Sequence, residues 1–114
     1  ISTNQAIQWM IADSEVELRA ARLLVYDAAA KVDAGEMAKV DASVCKLYGT
    51  EAAGRVVDRV IQMFGGMGVA KEMPFERWYR ELRVKRIGEG PSEVHRMVIA
   101  RDKLKHTSGG VYFR

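Results

Sequence analysis

Several things that would commit a protein to a particular chemistry are scarce in this sequence. There is one cysteine, Cys45, in 114 residues. That excludes an intrachain disulfide and a cysteine-built metal site, and leaves Cys45 to serve as a small buried apolar side chain. The two histidines, His95 and His106, show no ligand spacing, and Ser92 has no base arranged beside it, so zinc and hydrolytic chemistry find no support. Eighteen basic residues against fifteen acidic leave a net charge of +3, too slight to imply a polyanion, and no nucleic acid is expected. No apolar run approaches the ~20 residues that span a bilayer, and no basic-then-apolar leader opens the chain. No membrane association is expected, and the protein reads as soluble and intracellular. Its first residue is Ile1, not methionine, which reads as a piece of something larger.

Proline is also rare, at two residues, while 48% of the chain is hydrophobic and 29% charged. This is the composition of a single helical domain. Ile7, Ile11, Ser14, Leu18, Ala21, Val25, Ala28 and Val32 alternate by four and three, predicting one long helix with one buried seam over residues 4 to 33. Gly35 supplies its left-handed stop. A second stripe, Met37, Val40, Val44, Leu47, Ala52, Val56, Val60 and Met63, predicts an antiparallel return. Gly49 and Gly54 within it are expected to mark close approach of another helix. The glycines of "FGGMG", 64 to 68, end that helix, and a loop leads to Pro74, which starts a short third helix as its first residue. In "RWYRELRVKR", residues 77 to 86, the basic side chains are expected to face solvent and the aromatics the core. A fourth helix is predicted from Pro91 to about Lys105, with Gly90 as N-cap and Glu93 near the positive end of its dipole. The fold class is all-α, an antiparallel up-and-down bundle over residues 1–106, with 107–114 as a flexible tail.

Three segments are not obviously explained by packing: Asn4-Gln5, "QMFGGMG" at 62 to 68, and "GEGPSE" at 88 to 93. The glycine loop lacks the lysine-serine or lysine-threonine ending of a P-loop and follows a helix, not the strand of a dinucleotide-binding turn. It is either a helix stop or a bare-backbone edge for a polar cofactor. Glu89 lies between Gly88 and Gly90, which leave room for a substrate to reach its carboxylate, while the following helix N-terminus favours the ionised form that a base needs. An exposed turn glutamate is the alternative.

"QMFGGMG", then "PFERWYRELRV", then "EGPSEVHRMVIAR" at this separation resembles the C-terminal helical domain of the acyl-CoA dehydrogenase family, from Asn4-Gln5 to about Leu104. The resemblance implies a larger enzyme with N-terminal and middle domains, in which FAD and a carboxylate base introduce a double bond next to an acyl-CoA thioester. It places the catalytic base at Glu89 and Gly90 beside the substrate thioester. Gln62, Phe64, Gly65 and Gly66 would touch the FAD of a neighbouring subunit. Pro91, Ser92 and Glu93 would line FAD after the base, and Asn4 and Gln5 would lie near the flavin. It further implies an acyl-CoA substrate, an electron-transfer flavoprotein as redox partner and a homodimer or homotetramer. The location would be the cytoplasm in a bacterium, and the mitochondrial matrix or peroxisome in a eukaryote. The 114-residue chain alone is expected to be inactive.

The sequence departs from the family pattern at Gly88, where a tyrosine often precedes the base, and at Pro91, where a threonine is common. Proline has neither hydroxyl nor amide hydrogen to offer a flavin. Gly88 removes bulk beside the base, which suggests an unusual acyl group. A flavin oxidase or monooxygenase of the same fold, and a non-catalytic helical interaction module whose glycine segments are only turns, are the competing readings.

Overall fold

The computed structural model describes residues 1–107, which form α1 (Gln5–Asp33), α2 (Lys39–Phe64), α3 (Phe75–Lys85) and α4 (Ser92–Thr107), with a 3-10 turn at Gly65–Val69. The expected tail lies outside the described residues apart from Thr107, which closes α4. All regular structure described is helical, and the shape is elongated, 54 × 26 × 25 Å.

The α1–α2 hairpin turns where glycine allows it. Gly35 takes φ +80, its amide donates to the Val32 carbonyl at 2.9 Å, and the Glu36 amide reaches back to Lys31 at 2.9 Å. These two bonds satisfy carbonyls that the helix end would otherwise leave open. Polar contacts then fix an antiparallel register along the hairpin. Glu17 accepts from Arg55 Nε at 2.6 Å and Arg59 Nη1 at 2.7 Å, the Cys45 thiol donates to the Leu24 carbonyl at 3.2 Å, and Lys31 Nζ donates to Asp41 at 2.6 Å. Arg59 first, and Arg55 with it, hold the Glu17 carboxyl below its ordinary value against the opposing effect of burial. Burial pushes the Cys45 thiol up.

The seam of α1 differs from the expected one. Ile7, Met10, Ser14, Glu17, Ala20, Ala21, Leu24, Ala28 and Lys31 are the half-buried positions, whereas Ile11, Leu18, Val25 and Val32 remain 43–59% exposed. Trp9, Val16 and Leu23 are exposed on a further stripe, and no residue of α1 is fully buried. A helix apolar on more than one face does not announce which face its neighbour takes; here α2 chooses it. Gly49 and Gly54 also differ: a Cβ at either would meet nothing within 4 Å. They thin α2 without admitting another helix among the described residues, and Gly54 opens onto a groove of about 530 Å³ lined by Glu51, Arg59, Tyr79 and Arg83 among others.

α2 is the common support. It packs against α1, the 3-10 turn, α3 and α4, while α1 packs on α2 alone among the described residues. α3 begins beside the end of α2, where Phe75 meets Phe64 at a centroid distance of 4.6 Å. It ends beside Lys46, which binds the Lys85 carbonyl. α4 begins beside Glu51 and runs toward Asp41, whose carboxyl feels the charge of Lys103. Both helices therefore run antiparallel to α2, one after the other, and the Gly88–Gly90 turn is the joint between them. Pro74 sits one place before α3, with its carbonyl accepting from Trp78 at 3.0 Å. Trp78 and Tyr79 are 43% and 45% exposed, so the aromatics of α3 do not turn fully inward as expected. The core face of α3 is filled instead by Phe75 at its start.

Candidate functional site

Two glycines and one proline set the joint between α3 and α4, and α2 holds it. Glu89 has φ +56 and is the only non-glycine residue with positive φ among the described residues. Left-handed backbone at such a residue costs about 1–3 kcal/mol and persists only when the surroundings impose it. Gly90 follows at φ +94, and Pro91 then caps α4, its carbonyl accepting from the Val94 amide at 2.9 Å and the His95 amide at 3.3 Å. The cap is thus Pro91 and not Gly90. Gly90 is needed earlier, to reverse the chain, and Pro91 has no amide hydrogen to leave unsatisfied at a helix start.

The surroundings that impose this conformation come from α2. Lys46 Nζ donates to the carbonyl oxygens of Lys85 at 2.8 Å, Gly88 at 3.0 Å and Gly90 at 3.1 Å. One turn along, Glu51 accepts from the Ser92 hydroxyl at 2.8 Å and lies 2.9 Å from Arg86 Nε. The Arg86 N–H is too poorly aligned to count as a hydrogen bond, so this contact is an ion pair. Partial burial opposes ionisation of Glu51, yet Ser92 and Arg86 outweigh it and hold the carboxyl below its ordinary value. Behind the turn, the His95 ring closes on Gly90: a Cβ there would lie 3.0 Å from His95 Nε2, and neither ring nitrogen finds a partner among the described residues. The Glu89 carboxylate is exposed, with no hydrogen-bond or ion-pair partner among the described residues.

The glycine turn after α2 is built otherwise. Gly65 takes φ +58, and a Cβ on Gly65 or Gly66 would meet nothing within 4 Å, so their backbone faces open space. Gly68 is buried against α2, where a Cβ would lie 2.6 Å from the Ile61 carbonyl oxygen and 2.9 Å from its Cα. Gln62 is exposed on the last turn of α2, and Phe64 is 48% exposed. The hairpin register, which pairs Ser14 with Arg59, brings Asn4 and Gln5 to this same end. Asn4 precedes α1 and caps it without a side-chain hydrogen bond, so its amide is not spent on the helix.

The expected site residues therefore fall into two groups. Asn4, Gln5, Gln62, Phe64, Gly65 and Gly66 gather at one end, and Glu89, Gly90, Pro91, Ser92 and Glu93 at the joint. Along α2 the groups stand roughly 20–27 Å apart, the 13 to 18 residues from Glu51 or Lys46 to Phe64 at about 1.5 Å each. Ser92 is 4% exposed, its hydroxyl given to Glu51 and its amide to the Arg86 carbonyl. It anchors the joint. The Glu93 side chain is 80% exposed. Sequence reasoning did not single out Lys46 or Glu51. Both read as polar positions on a helix flank, and the groups they bind lie 35 to 44 residues away in the chain.

The model of the acyl-CoA dehydrogenase C-terminal domain matches residues 1–104, and the chain belongs to that family. It is 48% identical over 105 residues to a 3-(aryl)acrylate reductase of Clostridium sporogenes, covering 92% of this chain and 28% of that relative. It is 44% identical over 105 residues to the caffeyl-CoA reductase-Etf complex subunit CarC of Acetobacterium woodii, again 92% of this chain and 28% of the relative. Among solved structures, butyryl-CoA dehydrogenase from Megasphaera elsdenii superposes with a TM-score of 0.87 at 37% identity, covering 90% of this chain and 27% of that one. The chain spans little more than a quarter of the length of these relatives.

Proposed function

We propose that this chain is the C-terminal helical part of an FAD-dependent acyl-CoA dehydrogenase, with Glu89 as the base that removes the α-proton of an acyl-CoA thioester. The observation that carries the reading is the Glu89 turn: the one left-handed non-glycine residue among those described bears a carboxylate with no partner, on backbone tied to α2 at both sides. A proton beside a thioester is only weakly acidic, so its removal needs a base held in contact with it. Gly88 leaves the approach open on one side of Glu89, where a Cβ would meet only the Val84 carbonyl at 3.5 Å, while at Gly90 the His95 ring takes the space of a side chain. FAD, when bound, would supply the acceptor for the hydride that leaves the β-carbon.

The residues at the other end suit such a group. Gly65 and Gly66 offer bare backbone with free space where side chains would be, and Gln62, Asn4 and Gln5 add exposed amides at the same end. By the family resemblance, Gln62, Phe64, Gly65 and Gly66 would hold the flavin of a neighbouring subunit, and Asn4 and Gln5 would lie near a flavin. Pro91 has no amide hydrogen to contribute and Ser92 has spent its own, so near the base the exposed Glu93 and the Gly90 backbone are left to meet cofactor and thioester. The exposed apolar stripes of α1 call for a covering surface, which favours a homodimer or homotetramer of a longer chain. The name of CarC favours an electron-transfer flavoprotein as partner.

The relatives' names also favour a second direction of use, in which the enzyme saturates an α,β-unsaturated acyl-CoA and Glu89 returns a proton to the α-carbon. Glu89→Gln in the full-length enzyme tests the shared chemistry. Flavin bleaching on mixing with acyl-CoA, without any electron acceptor, should slow on the order of 100- to 10,000-fold while FAD and acyl-CoA remain bound. Bleaching at the wild-type rate would remove Glu89 as the base. Comparing the turnover of saturated and unsaturated thioesters then decides the direction.

A further inference from the structure

We propose that Lys46 is the positioning residue for Glu89, an inference that rests on the base assignment above. An ammonium has three hydrogens to donate and no acceptor. Here all three have a carbonyl within reach, at 2.8, 3.0 and 3.1 Å. The choice of carbonyls is informative. Lys85 is the last residue of α3, so its oxygen lies at the negative end of that helix dipole, where a cation is favoured. Gly88 and Gly90 stand immediately before and after Glu89. The ammonium thus fixes the peptide groups on both sides of the carboxylate-bearing residue and ties them to the longest-supported helix of the fold.

Without that tie the segment is poorly determined. Two glycines bracket Glu89, and glycine has the widest conformational choice of any residue. A left-handed glutamate would relax toward ordinary backbone if nothing held it, and its carboxylate would swing away from the place at which it now points. Glu51 steadies the outer shoulders, Arg86 and Ser92, but touches neither Gly88 nor Gly90. Among the described contacts Lys46 is the one side chain that hydrogen-bonds to the carbonyls on both flanks of Glu89; the other constraints are the Gly88 amide, which donates to the Val84 carbonyl at 2.8 Å, and the His95 ring packed behind Gly90. A misplacement of about 1 Å at a reacting group is enough to cost on the order of 100-fold in rate.

The test uses the full-length, FAD-loaded enzyme carrying Lys46→Met, Lys46→Arg or Glu89→Gln. Lys46→Met is expected to slow flavin reduction by saturating acyl-CoA roughly 10- to 100-fold. The acyl-CoA Kd and FAD content should stay near wild type, a split that a general loss of structure would not produce. Amide hydrogen exchange, read by mass spectrometry, should quicken over residues 86–92 and stay unchanged over α1. Wild-type rate and wild-type exchange in Lys46→Met would overturn the role. Should the methionine variant precipitate, Lys46→Arg decides. A planar guanidinium cannot converge on three carbonyls as an ammonium does, so it should lose about tenfold in rate, and a wild-type rate would count against the proposal. An unaffected Glu89→Gln enzyme would remove the base and with it this role. An inactive Glu89→Gln beside a fully active Lys46→Met would remove the positioning role alone.

Discussion

At the Gly65–Val69 turn the chain is held by the absence of a side chain: Gly68 lies so close to Ile61 that a Cβ would sit 2.6 Å from its carbonyl oxygen. At the Gly88–Gly90 turn it is held by side chains that arrive from outside, Lys46 on the backbone and Glu51 on the flanking Arg86 and Ser92. Both turns follow a helix end and both carry the residues of the candidate site. The first is a steric fit, sensitive to added atoms and indifferent to charge. The second is polar, tolerant of space around Gly88, where a Cβ would meet only the Val84 carbonyl at 3.5 Å, and dependent on ionised groups. A turn of the second kind can set a left-handed glutamate that local sequence would not choose.

The largest expected effect breaks the steric turn. Gly68→Val would push branched carbon into the Ile61 backbone, which cannot step aside as a flexible side chain could. Overpacking of this kind costs typically 1–3 kcal/mol, and backbone contact places this case at about 3 kcal/mol or more. Urea unfolding of the full-length protein should show a correspondingly lower midpoint, and retention of wild-type stability would mean that the turn can slide along α2.

Breaking the polar turn should cost less and depend on pH. Glu51→Gln keeps the shape but leaves Arg86 without its counter-charge, an expected loss of about 1–2 kcal/mol at neutral pH. The folded pKa of Glu51 lies below its ordinary value of 4.5, so its contribution is complete above pH 4.5 and is lost as pH falls further, when the folded protein too must take up the proton. Glu17 follows the same sign. Stability measured by denaturant at pH 7 and again well below pH 4.5 should therefore bring wild type and Glu51→Gln together in acid. A difference that persists unchanged would assign the effect to packing.

The same contrast explains what was legible in the sequence. Gly35 and the glycines after Phe64 announce helix ends because a left-handed or side-chain-free residue is a local requirement, and the four helices were read close to their observed limits. The carboxylate between Gly88 and Gly90 was conspicuous for the same local reason. Lys46 and Glu51 were not, since their partners are carbonyls and side chains some forty residues on, and nothing near them in the chain tells a clamp from a solvated flank. The face of α1 escaped for a related reason: Ile11, Leu18, Val25 and Val32 are as apolar as the residues that do meet α2, so the choice lay with the neighbour. Gly49 and Gly54 misled because a missing side chain can mark an open groove as readily as a close contact.

The smallest expected effect on stability sharpens the comparison at the steric turn, where Gly66 adjoins Gly65 yet shares neither its constraint nor that of Gly68. Gly65 needs φ +58, so any side chain there is strained whatever the space. Gly66 has no positive φ, and a methyl group would meet nothing within 4 Å. Gly66→Ala should therefore change stability by no more than about 0.5–1 kcal/mol, with a gain possible through the less flexible unfolded chain. If that open backbone is where flavin lies, the same methyl stands in the cofactor's way, and the full-length protein should purify with normal helicity and reduced FAD content. The ratio of flavin to protein absorbance, read beside circular dichroism, separates the two demands on this loop. Full FAD occupancy in a stable Gly66→Ala protein would mean that the bare backbone serves only to end α2.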